Sequence, residues 1–126
     1  MIKNVKRSDL HYSMIALMKQ AFPFERILSS VTVKIENKVM EFDAYLVNMN
    51  CYVEFQGQQH YQVVPFFNKN KQGLRDQKYR DQEKFLYCQR NGYGYAEIPY
   101  WHEKDAQKVR DTILTSINQG ANNVGN

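Results

Sequence analysis

Side chains able to bind a metal ion and activate water lie close together in the middle of the chain. Asp43 lies in one apolar run, Glu54 and Gln56 lie in the next, and His60 follows a glycine just beyond. Hydrolysis of a phosphodiester requires charge neutralisation, an activated water and a protonated leaving group, and Mg²⁺ held by carboxylates supplies much of this. Asp43 and Glu54 are therefore candidate Mg²⁺ ligands. Two solvated surface acids would have the same spacing, so spacing alone does not separate the two interpretations.

Gln56 and His60 extend this candidate site. Gln56 follows Glu54 by two residues, so a strand places both side chains on one face. The Gln56 amide can contact a metal, a water or a phosphate oxygen, but it cannot take a proton. His60 titrates in the range that an acid or base requires. Taken alone, a histidine at this position is more typical of a hydrogen-bonded structural residue.

Composition predicts one soluble domain. The chain has 126 residues and a formal net charge of +4, which is compatible with nucleic acid binding without proving it. No apolar run approaches the ~18 residues of a membrane span, and the basic first residues lack the pattern of a signal peptide. We therefore expect a cytoplasmic protein with no membrane partner. Cys51 and Cys88 lie in apolar patterns without metal-ligand spacing, which favours buried free thiols over a disulfide.

Hydrophobic periodicity predicts seven elements in the order α-β-β-β-α-β-α. They are a helix that Ser8 caps and Pro23 ends, strands over 27–35, 39–47 and 51–56, a helix over 74–90, a strand over 93–98, and a last helix carrying Ala106, Val109, Ile113, Leu114 and Ile117. Residues 62–73 lack a clean period and are predicted to form a loop. Residues 1–118 form the predicted domain, and 119–126 are predicted to be a polar, frayed tail.

Short turns predict that the first three strands form an antiparallel meander. The helix between the third and fourth strands predicts that these two run parallel. In the second strand, alternation places Asp43 on one face with Val39, Glu41 and Tyr45. The opposite and more apolar face carries Met40, Phe42, Ala44 and Leu46.

The helix predicted over 74–90 carries a polar stripe that could complete the site. Gln77, Asp81, Lys84 and Cys88 follow one another by three- or four-residue steps, which brings Asp81 and Lys84 together. An ion pair at this spacing is usually solvated and contributes little. The stripe thus has both a functional and a purely structural interpretation.

Basic residues cluster in the loop and the helix that follows it. They are Lys69, Lys71, Arg75, Lys78 and Arg80, beside Tyr79 and near Phe66 and Phe67. Such a cluster could contact DNA phosphates while the aromatic rings contact bases. A solvated charged face is the common alternative.

Several motifs together resemble the PD-(D/E)xK nuclease superfamily, and in particular its very-short-patch-repair-like and phage homing-endonuclease-like branch. The motifs are Phe42-Asp43, Val53-Glu54-Phe55-Gln56-Gly57-x-Gln59-His60-Tyr61, Asp81-x-x-Lys84, Asn91-Gly92 and Ile98-Pro99-Tyr100. The resemblance covers about residues 8–101. The Gly-x-Gln-His-Tyr sequence together with the downstream Asp and Lys is its most specific part.

The resemblance implies a restriction-endonuclease-like α/β fold, with a central mixed four-stranded sheet flanked by helices. It implies that Asp43 and Glu54 bind Mg²⁺ or Mn²⁺, and that Gln56 replaces the lysine of the commoner Glu-x-Lys version. His60 and Asp81 would be further catalytic positions, and Lys84 a candidate phosphate ligand. Many relatives carry a glutamate early in the first helix, where this chain offers His11, with Asp9 nearby.

The expected function is therefore that of a Mg²⁺-dependent endodeoxyribonuclease, with DNA as its partner and His60 as acid or base. Because one site must act twice, or as a homodimer, to break both strands, a homodimer is one expected form. The alternatives are a nuclease-fold protein that only binds nucleic acid, and a scaffold whose acids form surface salt bridges.

Overall fold

The structure is a computed structural model that describes residues 9–58 and 71–124, with side chains for 9–58 and 72–118. The helices are α1 (Asp9–Ala21), α2 (Lys71–Arg90) and α3 (Ala106–Val124), the strands are β1 (Ile27–Ile35), β2 (Lys38–Leu46), β3 (Cys51–Gln56) and β4 (Gly94–Pro99), and a 3₁₀ turn covers Tyr100–His102. The predicted element order is confirmed. None of the helices in these two ranges is long and apolar enough to span a membrane.

The strands form one mixed sheet in the order β1-β2-β3-β4. β1 pairs with β2 and β2 with β3 in antiparallel fashion, whereas β3 and β4 are parallel. The predicted meander and parallel crossover are thus confirmed. The chain is an α/β protein with a four-stranded mixed sheet flanked by helices.

Several predicted boundaries were displaced. β2 begins and ends one residue earlier than predicted, and β4 extends to Pro99, which pairs with Gln56 at the strand end where a missing N–H costs little. α2 begins at Lys71, so the predicted loop was wrong for 71–73, because adding residues to an existing helix costs less than starting one, even through Gly73. Residues 62–70 lie outside the described ranges. α3 continues to Val124, so the segment predicted as a polar tail is helical up to that residue, because extending an existing helix costs little.

The larger hydrophobic cluster lies between the sheet and the α1–α3 layer. Met14 and Met18 of α1 and Val109 and Ile113 of α3 are fully buried in it. Ala44, Leu46, Cys51, Val53, Phe55, Ala96 and Ile98 contribute from the strands. Burial of these side chains holds α1 against the sheet and therefore fixes the position of His11.

The second cluster lies on the opposite face of the sheet, under α2. Phe42, Tyr52 and Cys88 are its buried members, and the partly buried Tyr87 and Tyr95 pack against them. The Phe42 and Tyr52 ring centroids are 4.5 Å apart. Cys88 anchors the polar stripe of α2, so the residues one and two turns before it face β3.

The predicted alternation in β2 was wrong, because the four residues assigned to one apolar face lie on both faces of the sheet. Phe42 packs under α2, whereas Ala44, two residues further on, packs under α1 and α3. β1 changes face at the same level, since Ile27 contacts the first cluster and Val31 the second. The break lies at Ser30, whose φ of 59° is left-handed and unlike a strand residue.

This break positions Asp43. The register pairs Ser29 with Ala44 and Val31 with Phe42, and passes over Ser30 and Asp43 between them. The backbone of Asp43 is thereby released from regular pairing with β1. Alternation of side chains cannot predict such a break, because it assumes extended backbone throughout.

We expect Ser30→Val to lower the free energy of unfolding by about 1–2 kcal/mol, because a left-handed backbone is unfavourable for a residue with a Cβ branch. Ser30→Gly should be neutral or stabilising, since glycine adopts this φ without strain. Thr32→Val, an exposed position on the same strand, is the control and should change stability by less than about 0.5 kcal/mol. Urea denaturation measures all three, and equal stability of Ser30→Val and Thr32→Val would contradict the prediction.

Candidate functional site

The candidate site lies where β2 and β3 diverge, at a point that we call the fork. Backbone pairing between these strands ends at Ala44 and Val53, and Asp43 and Glu54 are the next residue on each strand. The Asp43 N–H donates to Glu54 Oε2 at 2.9 Å, and the Phe55 N–H donates to Asp43 Oδ2 at 2.7 Å. The two carboxylates therefore replace carbonyl oxygens as acceptors for the strand amides. The structure brings the two predicted metal ligands together.

α2 covers this fork with its polar stripe. Lys84 Nζ donates to Glu54 Oε1, and the same ammonium lies 5.4 Å from the centroid of the Phe42 ring. Gln56 Nε2 lies 3.5 Å from Asp81 Oδ2, which is a long contact for a hydrogen bond. Because Glu54 and Gln56 are each only 5% exposed, these contacts are largely shielded from water. The structure thus joins the stripe on α2 to the polar face of β3.

α1 reaches the same fork from the other side of the sheet. His11 is 5% exposed, and its Nδ1 lies 3.7 Å from Asp43 Oδ1. His11 Nε2 lies 2.9 Å from Ser29 Oγ, and the ring packs edge-on against Phe55 with centroids 5.4 Å apart. The predicted helix position is therefore part of the site. The His11 ring lies between the Asp43 carboxylate and the Ser29 hydroxyl.

Ser29 was not predicted as a site residue. In the sequence it is one polar position in an alternating strand. Its register partner is Ala44, the neighbour of Asp43. Fixing the β1–β2 register from the short turn would have placed Ser29 near Asp43, although nothing in the residue types marks its contact with His11.

Burial and like charge dominate the electrostatics of the fork. Burial, and then the negative charge of Asp43, raises the pKa of Glu54 to about 8, while the Lys84 ammonium opposes this shift. Burial and the nearby carboxylates of Glu97, Glu54 and Asp81 also raise the pKa of Tyr95, which keeps its phenol neutral. The ionised forms of the Asp43 and Glu54 carboxyl groups therefore repel each other, and a cation between them would offset that repulsion.

A cleft of about 570 Å³ opens beside the fork. Its lining includes Asp43, Glu54, Gln77, Arg80, Asp81 and Lys84. Acidic groups from the strands thus face basic groups from α2. Within the part of the chain that the structure describes, no group of three or more His, Cys, Asp and Glu side chains could hold a metal ion. Asp43 and Glu54 supply two carboxylates, which is one ligand fewer than such a group.

The predicted basic cluster is placed in part. Arg75, Lys78 and Arg80 are exposed on α2, and Arg80 also lines the cleft. Tyr79 beside them is 60% exposed. His60, Lys69, Phe66 and Phe67 and the side chain of Lys71 lie outside what the structure describes.

Cysteine chemistry does not contribute to this site. Cys51 and Cys88 are free and buried, as predicted. Burial raises the pKa of Cys51 to about 11 and that of Cys88 to about 12. Because the thiolate is the nucleophile and metal ligand, both thiols are inert at neutral pH.

The chain is similar to viral proteins. It is 41% identical over 61 residues to Uncharacterized protein 307L of Invertebrate iridescent virus 6 and 38% identical over 61 residues to Uncharacterized protein 033L of Invertebrate iridescent virus 3, each match covering 48% of this chain and 31% of the relative. A match to Uncharacterized protein 094L of Frog virus 3 is 37% identical over 79 residues, or 61% of this chain and 51% of the relative. The matches thus span about a third to a half of these relatives. No protein-family model and no solved structure matches the chain.

We expect carboxyl-detected NMR titration to show Glu54 losing its proton well above the usual range of a glutamate. Asp43→Asn should lower the pKa of Glu54, because it removes a neighbouring negative charge. Lys84→Met should raise the pKa further, because it removes the positive charge that favours the carboxylate. Asp111→Asn, a change on the exposed face of α3, is the control. A Glu54 pKa that stays unchanged in both site variants would contradict this account of the site.

Proposed function

We propose that this protein is a divalent-metal-dependent endonuclease that hydrolyses phosphodiester bonds in DNA. The observation that supports this most strongly is the pair of carboxylates at the β2–β3 fork, joined through the Asp43 N–H and faced by Lys84. The proposal includes a restriction-endonuclease-like arrangement of the sheet, as the PD-(D/E)xK resemblance implies. Fold alone does not establish function, so the proposal rests on the site.

The donor set of the fork fits Mg²⁺ or Mn²⁺. Mg²⁺ in proteins is commonly bound through one or two carboxylates and keeps several waters. Asp43 and Glu54 supply two carboxylates, and their oxygens retain acceptor capacity beyond the hydrogen bonds described above because each oxygen has two lone pairs. When bound, the ion would polarise the phosphate and lower the pKa of a water. The raised pKa of Glu54 indicates that a cation would also relieve repulsion there.

Other side chains of the site have roles that follow from their charge and position. Lys84 and Arg80 line the cleft as cations and can bind the non-bridging oxygens of the scissile phosphate. His11 lies beside the Asp43 carboxylate and, when protonated, would stabilise its charge. Gln56 and Asp81 lie beside Glu54 and can orient a water. The role of His60 as acid or base remains a prediction from sequence.

The exposed basic residues of α2 support DNA as the substrate. Arg80 lines the cleft with Asp81 and Lys84, and Arg75 and Lys78 add exposed positive charge on the same helix, which favours a phosphate backbone bound near α2. A protein that only binds DNA would use the same surface. Gln56, a neutral residue where the commoner Glu-x-Lys version of the resembled superfamily has a lysine, is the feature that favours this second function.

We expect Mg²⁺-dependent cleavage of DNA, and we expect Asp43→Asn and Glu54→Gln each to reduce its rate about 100-fold or more. A bound metal is worth several kcal/mol of transition-state stabilisation, and each 1.36 kcal/mol is a factor of ten. Gel assays with supercoiled, branched and nicked DNA in Mg²⁺ or Mn²⁺ measure the rate. Asp111→Asn is the matched control, because it neutralises an exposed acid on α3 away from the fork.

The outcomes of this experiment separate the candidate functions. Full activity in both site variants would refute the assigned metal ligands. Salt-sensitive DNA binding by the parent protein with no product in either metal would assign binding alone. Absence of both binding and cleavage would favour the scaffold interpretation.

We also expect Arg75→Gln and Lys78→Gln each to weaken DNA binding at low salt. Each lost phosphate contact should reduce the slope of log K against log salt by about 0.9. Lys104→Gln and Lys108→Gln, at exposed positions in and just before α3, are the matched controls. Fluorescence anisotropy over a salt series measures the slopes, and equal losses in both pairs would mean that α2 is not the DNA-binding surface.

A further inference from the structure

A second cavity lies next to the cleft, between the tip of the β1–β2 hairpin and α2. It measures about 650 Å³, which is in the range of pockets that hold small organic groups. Lys38, Met40 and Glu83 line both this cavity and the cleft. We call this second cavity the hairpin groove. A ligand whose phosphate occupied the cleft could therefore place its adjoining group in the groove.

Charges within the hairpin groove balance one another. Lys38 and Arg90 contribute two positive charges, and Glu36 and Glu83 contribute two negative ones. Lys38 Nζ and Glu83 Oε2 are 2.7 Å apart, so this pair bridges the hairpin and the helix. A balanced lining gives little attraction to an isolated anion. The groove is therefore suited to a neutral group, unlike a phosphate site.

The walls of the groove suit a flat aromatic group with polar edges. Ile35, Met40 and Leu86 supply apolar surface. Tyr79 also lines the groove, and it is 60% exposed, so its ring is accessible. The Gln82 amide, also in the lining, carries both a donor and an acceptor. A base stacks on an aromatic ring regardless of its identity, while its edges accept and donate hydrogen bonds. A nucleobase has all of these properties.

We propose that the hairpin groove binds an unpaired nucleobase next to the phosphate in the cleft. This inference rests on the proposed function, because that function places a DNA phosphate at Asp43 and Glu54. A base stacked within a duplex cannot enter a side pocket without unstacking, and unstacking costs least at an unpaired position. The substrate class is therefore DNA with an unpaired base beside the cleavage point, in preference to intact duplex.

The test measures binding by the full chain, without divalent ions, to two short duplexes that contain 2-aminopurine. In one duplex the fluorescent base is unpaired in a single-nucleotide bulge, and in the other it is paired. We expect the parent protein to bind the bulged duplex about tenfold more tightly and to change its fluorescence, since stacking of one base on an aromatic ring is worth about this factor. Tyr79→Ala and Gln82→Trp should abolish the preference, the first by removing the ring and the second by filling the groove.

Matched controls keep the ring or place the same bulk elsewhere. Tyr79→Phe retains the stacking ring, and Gln89→Trp adds a tryptophan at an exposed position of α2 outside the groove lining. Both should preserve the preference. Equal binding of the two duplexes by the parent protein, or an unchanged preference in Tyr79→Ala and Gln82→Trp, would overturn the proposal.

Cleavage assays on the same duplexes separate this proposal from the proposed function. Cleavage in Mg²⁺ that depends on Asp43 but shows no preference for the bulge would overturn the base site and leave the nuclease intact. A bulge preference that depends on Tyr79, without cleavage in Mg²⁺ or Mn²⁺, would support the base site and refute the nuclease.

Discussion

The organisation of the site depends on two carboxylates that accept hydrogen bonds from strand amides in place of backbone carbonyl oxygens. Where β2 and β3 cease to pair, Glu54 accepts the Asp43 N–H and Asp43 accepts the Phe55 N–H. Buried amides without acceptors are costly, so these bonds fix both carboxylates while they satisfy the backbone. The acids are thus held in place by the sheet itself, and the fork needs no further element to bring them together. A change to either side chain should alter the chemistry and the local pairing at once.

The two helical layers converge on this fork from opposite faces of the sheet. His11 reaches Asp43 from α1, and Lys84 reaches Glu54 from α2. Two separate hydrophobic clusters anchor the two helical layers. The side chain that contacts each acid is therefore held in place by a different part of the core. This arrangement explains why a chain of 126 residues can support several polar contacts at one point. Each contact needs only the few buried residues that hold its own helix.

Much of this arrangement could be predicted from sequence. Strand periodicity gave β1 and β3 with their observed bounds, and helical spacing placed Asp81 and Lys84 on one stripe with Cys88. Short turns and one crossover helix were enough for the sheet order. These features follow from local patterns, which is why they were accessible. The joint placement of Asp43 and Glu54 followed once the meander was assigned, whereas Lys84 was joined to them only by the resemblance to the nuclease superfamily.

What could not be predicted depends on backbone geometry that residue types do not reveal. The left-handed φ of Ser30 reverses the faces of two strands, yet serine carries no glycine-like signal for it. The contact of His11 with Ser29 likewise requires the fold of α1 over the hairpin. Both features lie beside Asp43, because Ser30 is the residue passed over opposite it and Ser29 pairs with its neighbour Ala44. Irregular backbone and buried acids with a raised pKa are unfavourable for stability, and proteins tend to retain them at functional sites. The positions where sequence rules failed therefore point to the same fork that the chemistry does.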